Sequence, residues 1–138
     1  MRVSQRLDYA MRAVVLLAAQ PPGTFTAAGD VAERLGLPRR FVEQQITELA
    51  RAGVVECRRG ASGGCRLMRP ASEITALDVV NALHGEVMDV PQQTDSATAE
   101  LWQKAAVAMA GYIGEVTLEQ LAVRQRQLDH KASPMYFI

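Results

Sequence analysis

The chain has 138 residues, 49% of them hydrophobic, and its 15 basic and 15 acidic side chains sum to a formal charge of zero. That length fits one compact core with an appended element, and so apolar a composition excludes a disordered chain. A membrane span needs about 18 uncharged apolar residues in a row; none occurs, and Arg2, Arg6, Asp8 and Arg12 break up the opening segment, so neither a span nor a signal peptide is expected.

The first predicted element is a helix over SQRLDYAMRAVVLLAAQPPG. Leu7, Ala10, Met11, Val14 and Leu17 recur at helical spacing, Ser4 is placed to cap, and Pro21-Pro22-Gly23 stops it. In TAAGDVAERLG the same logic gives a short second helix, with Ala28, Val31, Ala32 and Leu35 on one face, Thr26 as expected N-cap and Gly36 as stop. A third helix follows in LPRRFVEQQITELARAG, with Pro38 at its first position, an apolar stripe of Val42, Ile46, Leu49 and Ala50, and Gly53 as terminator. Arg39, Arg40, Glu43, Gln44 and Thr47 lie off that stripe. Two helices joined by the three residues GLP, the second with a polar face rich in Arg and Gln, have the form of a helix-turn-helix.

Next, VVECR and CRLMR alternate with period two around a glycine-rich tip, which predicts a β-hairpin. Pairing Val55 with Leu67 sets Cys57 opposite Cys65 on an inner face and turns Glu56, Arg58 and Arg66 outward. Gly60, Gly63 and Gly64 would supply a positive-φ turn and a thin tip, and Arg58, Arg59 and Arg66 its charge, as a wing against DNA requires. The overall neutrality hides a division of sign. Residues 1–70 carry 11 Arg, no Lys and 6 acids, whereas residues 71–138 carry 4 basic residues and 9 acids. Arginine's planar fork suits phosphates and base edges, although a solvated basic face would look the same by charge alone.

The run VAERLGLPRRFVEQQITELARAGVVECRRGASGGCRLMRPASEITALDVVNALHG, with the opening RLDYAMRAVVLLA and the later LWQKAAVAMAGYIGEVTLEQLA, resembles the Rrf family of winged helix-turn-helix transcription regulators across nearly the whole chain. The RG..GG.RL wing after a helix ending in Ala-Gly is the most specific part of that likeness. The resemblance implies a dimeric DNA-binding regulator, often a repressor, that reads a palindromic operator with its third helix in the major groove and its wing in the adjacent minor groove. The expected fold is mainly α, a winged helix-turn-helix domain over 1–85 with a small hairpin wing. A linker or effector loop over 86–96, dimerisation helices over 97–128 and a tail over 129–138 complete it.

The second half bears on the dimer in its own right. ITALDVVNALHG reads as a short helix with Ile74, Leu77, Val80 and Ala82 or Leu83 apolar, closed by Gly85 and packed under the wing. Further on, Leu101, Ala105, Ala108 and Tyr112 form one heptad-like seam, and Trp102, Ala106, Met109 and Ile113 form a second beside it. The first can bury against a partner chain and the second against the DNA-binding domain; the alternative is a helix packed wholly within its own monomer. A last helix is expected over Thr117–Leu128, capped by Thr117. Relatives that act as sensors hold an iron-sulfur cluster by three cysteines in the loop before the long helix. The corresponding HGEVMDVPQQTDSATAE, residues 84–100, contains none, so no cluster and no other cofactor or metal is expected. Asp8, at a position where some relatives supply a further ligand, is then a surface acid or helix-start charge. The loop would bind a small-molecule or protein effector, or merely connect.

Cys57 and Cys65 are too few for a disulfide framework and fit a reducing, cytoplasmic compartment. The favoured role is two small buried apolar residues under the hairpin; the alternative is a redox switch made of thiols opposed across the strands. Their spacing, taken with His84 and His130, matches no compact zinc pattern. No nucleophile elbow, phosphate-binding glycine loop or paired carboxylates argue for an enzyme. A protein-interaction module without operator binding would lack the polar face of the third helix, which is present.

The interface with double-stranded DNA is therefore assigned as follows. Arg39 and Arg40 meet phosphate or a guanine edge, Glu43 and Gln44 read cytosine and adenine, and Thr47 meets a thymine methyl or phosphate. Arg59 enters the minor groove, with Arg58, Arg66 and the tip residues Gly60, Ser62 and Gly63 along the backbone. Leu101, Trp102, Ala105, Ala108, Met109, Tyr112 and Ile113 form the homodimer face.

Overall fold

The computed structural model describes residues 3–83, 89–91 and 95–132. Its helices are α1 (Gln5–Ala18), α2 (Ala28–Leu35), α3 (Arg39–Arg51), α4 (Ala76–Leu83), α5 (Ala97–Ile113) and α6 (Leu118–Ala132). Strands β1 (Val55–Arg58) and β2 (Gly64–Leu67) lie between α3 and α4. A 3-10 turn, Ala71–Glu73, leads from β2 into α4. This is the mainly helical winged fold expected from the sequence.

The helix boundaries follow local chemistry. Ser4 caps α1 by accepting from the Leu7 amide at 3.1 Å. Gly36 ends α2 in the left-handed region, φ 66°, where a Cβ would be strained. The chain then needs only Leu37 and Pro38 before α3 starts, so α2 and α3 pack directly on each other as a helix-turn-helix pair. One expected cap does not form. Ala27 occupies the N-cap of α2 without a side-chain bond, and Thr26 stands one residue before it, in a bridge where its amide donates to the Cys65 carbonyl at 2.9 Å and its carbonyl accepts from the Cys65 amide at 2.8 Å. The buried Thr26 thus adds a third backbone rung beside the two-stranded wing.

The core lies where α1, α2 and α3 meet the wing and the C-terminal elements. Val14, Val31, Val42, Ile46, Leu49, Val55, Ile74, Val79 and Leu118 are buried in one cluster. Each fully buried aliphatic side chain contributes on the order of 1.5–3 kcal/mol, so this cluster is what fixes α3 and the wing in relative position. On α3 its members Val42, Ile46 and Leu49 are those of the predicted stripe, with Ala50 half-buried; on α1 Val14 and Leu17 are joined by the unpredicted Ala13, while Leu7 and Met11 are half-buried.

The short helix α4 differs from expectation in its neighbours: it packs mainly on α1 and α3, with a smaller contact to α5, rather than under the wing. Thr75 and Asp78 close a reciprocal capping box at its start, with bonds of 2.9 and 3.1 Å. Gly85, its expected terminator, falls outside the described residues. A matching box, Thr117 with Gln120, starts α6 at 3.0 and 3.1 Å, as the sequence indicated for Thr117. Two backbone bonds of 2.8 Å, Ala76 to Val116 and Leu118 to Ile74, join the two starts. α6 therefore packs back onto α1 and the 3-10 turn, and it continues past Leu128 to Ala132. Among the described residues no helix is long and apolar enough to cross a membrane.

Candidate nucleic-acid interface

α3 divides its residues by period. Val42, Gln45, Ile46 and Leu49 are buried, while Arg39, Arg40, Glu43, Gln44 and Thr47 are all exposed. A polar face of this composition, on the second helix of the pair, is free to enter a groove. Arg39 and Glu43 meet each other across one turn, Nε to Oε1 at 2.8 Å. The Arg39 guanidinium also lies over Gly29 of α2, where an added Cβ would stand 3.4 Å from its carbon. Thr47 donates its hydroxyl to the Glu43 carbonyl at 2.8 Å, which leaves its methyl as the group on offer. Arg40 and Gln44 have no hydrogen-bond or ion-pair partner among the described residues.

Sequence reasoning missed what holds this helix from behind. Gln45, only 5% exposed, accepts from the Arg6 Nε of α1 at 3.1 Å, so a polar side chain on the inner stripe is satisfied rather than stranded. Tyr9 of α1 meets Phe41 edge to face, ring centroids 5.6 Å apart at 83°. The i,i+3 spacing of Val42 and Gln45 was the available signal, but a glutamine carries no apolar mark to read.

The wing register is the predicted one: Val55 opposes Leu67, Glu56 opposes Arg66, Cys57 opposes Cys65 and Arg58 opposes Gly64. Its glycines serve different needs. Gly60 and Gly64 have positive φ, 108° and 140°, whereas Gly63 does not. A Cβ on Gly63 would sit 2.1 Å from the Arg58 carbonyl oxygen, so close approach and not φ requires glycine there. Gly64 also presses on Thr26, at 2.5 Å for the same construction.

Of the three wing arginines, two are held. Arg58 and Arg66 place their guanidinium carbons 4.5 and 4.4 Å from the ring centroid of Phe25. Arg66 also pairs with Glu56 and reaches the Gly23 carbonyl. Arg59 is exposed and, among the described residues, without hydrogen-bond or ion-pair partner. Ser62 and Gly60 are exposed beside it. Phe25 was not anticipated, because a single aromatic in the irregular PPGTF segment has no period to betray it.

The cysteine expectation needs correction. Cys65 is buried, but Cys57 is exposed, and the two sulfurs are paired as a disulfide. Opposition across the hairpin brings the sulfurs together, and the edge position of β1 leaves Cys57 open to solvent.

On α5, the first seam is largely uncovered: Leu101 is 55% and Tyr112 70% exposed, Ala108 is exposed and Ala105 half-buried. The second is more sheltered, with Ala106, Met109 and Ile113 half-buried and Trp102 45% exposed.

Residues 3–124 match the family described as Rrf2, iron-dependent transcriptional regulator. The chain belongs to the Rrf2 family. Among its Rrf2-like relatives is Rv1287 of Mycobacterium tuberculosis strain H37Rv, named as an HTH-type transcriptional regulator, 31% identical over 131 residues that span 88% of this chain and 81% of the relative. CymR, described as the global cysteine regulator of B. subtilis, superposes with TM-score 0.80 at 28% identity, covering 90% of this chain and 98% of CymR. IscR of T. potens gives 0.81 at 26% identity, with 99% and 97% covered. The Rrf2 winged-helix fold is thus shared with these neighbours.

The iron in the Rrf2 description finds a poor fit in this chain. Its only two thiols lie in the wing, paired with each other, and none lies in residues 84–100. Among the described residues no group of three or more His, Cys, Asp or Glu is disposed to hold a metal. Asp8 is paired with Arg12 at 3.0 Å.

Proposed function

We propose that this Rrf2 protein is a homodimeric, sequence-specific DNA-binding transcription regulator acting as a repressor in the cytoplasm, without an iron-sulfur cluster. The observation that carries the reading is the polar face of α3, five exposed side chains of matched DNA-reading chemistry, set beside an arginine-bearing wing on one rigid core. Arg40 and Gln44 are free to engage phosphate and a base edge, and Glu43 suits a cytosine amine once Arg39 turns to the backbone. Arg59 extends into the minor groove while Phe25 holds Arg58 and Arg66 along the strand flanks.

A two-fold dimer presents two such units, so the operator is an inverted repeat with half-sites one helical turn or a multiple apart. The exposed seam of α5 supports the dimer: Leu101 and Tyr112 are large apolar groups that a partner's helix would cover. Selection of fragments from genomic DNA by the purified protein, followed by footprinting, tests the reading. Recovered fragments that share an inverted repeat, protected over both arms, are expected. Recovery of unrelated fragments with uniform protection would reject sequence-specific binding.

A further inference from the structure

The two cysteines stand where strand geometry puts a reactive pair, not merely where a small apolar residue fits. In an antiparallel ladder, opposed residues alternate between hydrogen-bonded pairs and non-hydrogen-bonded pairs, and the latter bring side chains closest. Cys65 exchanges both of its backbone bonds with Thr26, at 2.9 and 2.8 Å. Its other edge therefore meets Cys57 across a non-hydrogen-bonded pair, with Cα atoms 4.2 Å apart. At that separation the two sulfurs can meet across the strands, whereas cysteines with Cα atoms more than about 7 Å apart cannot be bridged without backbone movement.

Accessibility is divided between the partners: Cys57 is exposed on the edge strand and Cys65 is buried beneath it. The bridge closes a ring around residues 58–64, which hold Arg58, Arg59 and all three tip glycines. Phe25 anchors Arg58 and Arg66, the residues directly after each cysteine, to the body of the domain.

We propose that Cys57 and Cys65 form a thiol-disulfide site inside the wing that is oxidised by a peroxide-class oxidant and, once oxidised, tightens DNA binding. The proposal rests on the DNA-binding reading above. In the first step the Cys57 thiolate attacks the peroxide O–O bond; a sulfur-oxygen bond forms, giving Cys57 sulfenic acid, and hydroxide leaves, taking up a proton as water. In the second, the Cys65 thiol attacks that sulfur, the sulfur-oxygen bond breaks, and the hydroxyl departs as water with the Cys65 proton. Two thiols and one peroxide thus yield one disulfide and two waters; the two electrons pass from sulfur to the peroxide oxygens. In a reducing compartment the resting state is the dithiol, so the bond would form only in response to an oxidant.

The direction of the effect follows from the ring it closes. A glycine-rich tip samples many conformations when its base is held by backbone bonds alone. Closing the base with a covalent bond removes part of that freedom before DNA is met, and a preordered contact binds more tightly. The oxidised protein should bind its DNA about twofold to tenfold more tightly than the dithiol, the range given by ordering one side chain beforehand.

The test uses the full chain. Reduced protein is treated with hydrogen peroxide, its mass is measured intact, and both forms are titrated by fluorescence anisotropy against a duplex the protein has itself selected from genomic DNA. Expected are the loss of two hydrogens, restored by dithiothreitol, and a tighter oxidised form. Cys57→Ser, whose side chain is exposed and leaves the core untouched, should abolish the mass change and hold affinity at the reduced value in both conditions. No mass change in the unaltered chain, or an oxidised form that binds no more tightly than the reduced one, overturns the inference, as does a peroxide response that persists in Cys57→Ser. If neither form binds any fragment, the DNA-binding reading itself fails and the inference falls with it, a result distinct from equal binding by both.

Discussion

In the proposed interface Glu43 and Arg59, side chains of opposite charge, would divide the work. An acid facing DNA is repelled by phosphate unless it accepts from a cytosine amine, and here its charge is partly offset by Arg39 at 2.8 Å. That exposed i,i+4 pair stabilises the helix by only about 0.3–0.5 kcal/mol, so the pair can open on DNA at small cost. Glu43→Ala is expected to relax discrimination at one base per half-site by roughly 1–3 kcal/mol while leaving non-specific affinity equal or higher. Arg59→Ala should instead weaken binding to all sequences and reduce the slope of log affinity against log salt by about one unit for each phosphate that the guanidinium neutralises. Titration of both variants against operator and scrambled duplexes at several salt concentrations separates the two roles. An unchanged specific-to-scrambled ratio for Glu43→Ala would reduce Glu43 to a solvated partner of Arg39. At Gly64, positive φ and close approach to Thr26 act together. Gly64→Ala should therefore cost more than about 1 kcal/mol in urea unfolding, whereas Gly60→Ala, with open space around its Cβ position, carries only the φ penalty.

At the level of elements, the wing and α6 separate what patterning can reveal from what it cannot. The register Val55 to Leu67 was legible because alternation of apolar and polar residues permits no one-residue slip without turning the core face to solvent. The third rung at Thr26 was not, because one paired residue has no period, and its hydroxyl before a helical run reads as a cap. Exposure of Cys57 was hidden for a related reason: alternation assigns it an inner face, but β1 is the outer strand of the three-rung arrangement and Cys57 is exposed there. The stripe of α3 and its exposed face were legible residue by residue; the support of α3 by Arg6 and Tyr9, and of the wing by Phe25, was not, since it depends on neighbours distant in sequence. α6 is a latch on the domain. Leu118 is fully buried in the same cluster as Ile74 and Val79, so Leu118→Ala should destabilise the chain by about 2–5 kcal/mol in urea unfolding. A loss below about 1 kcal/mol would show that α6 docks without contributing to the core.

Across the whole molecule, the opposite signs of the two halves and the uncovered seam of α5 point to a common arrangement. The basic half carries α3 and the wing, while the acidic half carries α5, whose Leu101 and Tyr112 are 55% and 70% exposed. A charged residue in a buried interface leaves an unpaired, desolvated group. Leu101→Glu combined with Tyr112→Glu should therefore convert the dimer to a monomer by light scattering at micromolar concentration, with the circular dichroism of the domain retained. A monomeric unaltered chain would refute the role given to α5.

Whether two copies of α3 and the wing read an inverted repeat together is tested most directly by an anisotropy titration at fixed salt. The protein would be titrated against a selected full operator, the same duplex with one arm scrambled, and a fully scrambled duplex. Two chains per full operator are predicted, with affinity at least about a thousandfold above the scrambled duplex and most of that advantage gone when one arm is removed. Equal affinity for all three duplexes would contradict joint reading of the repeat.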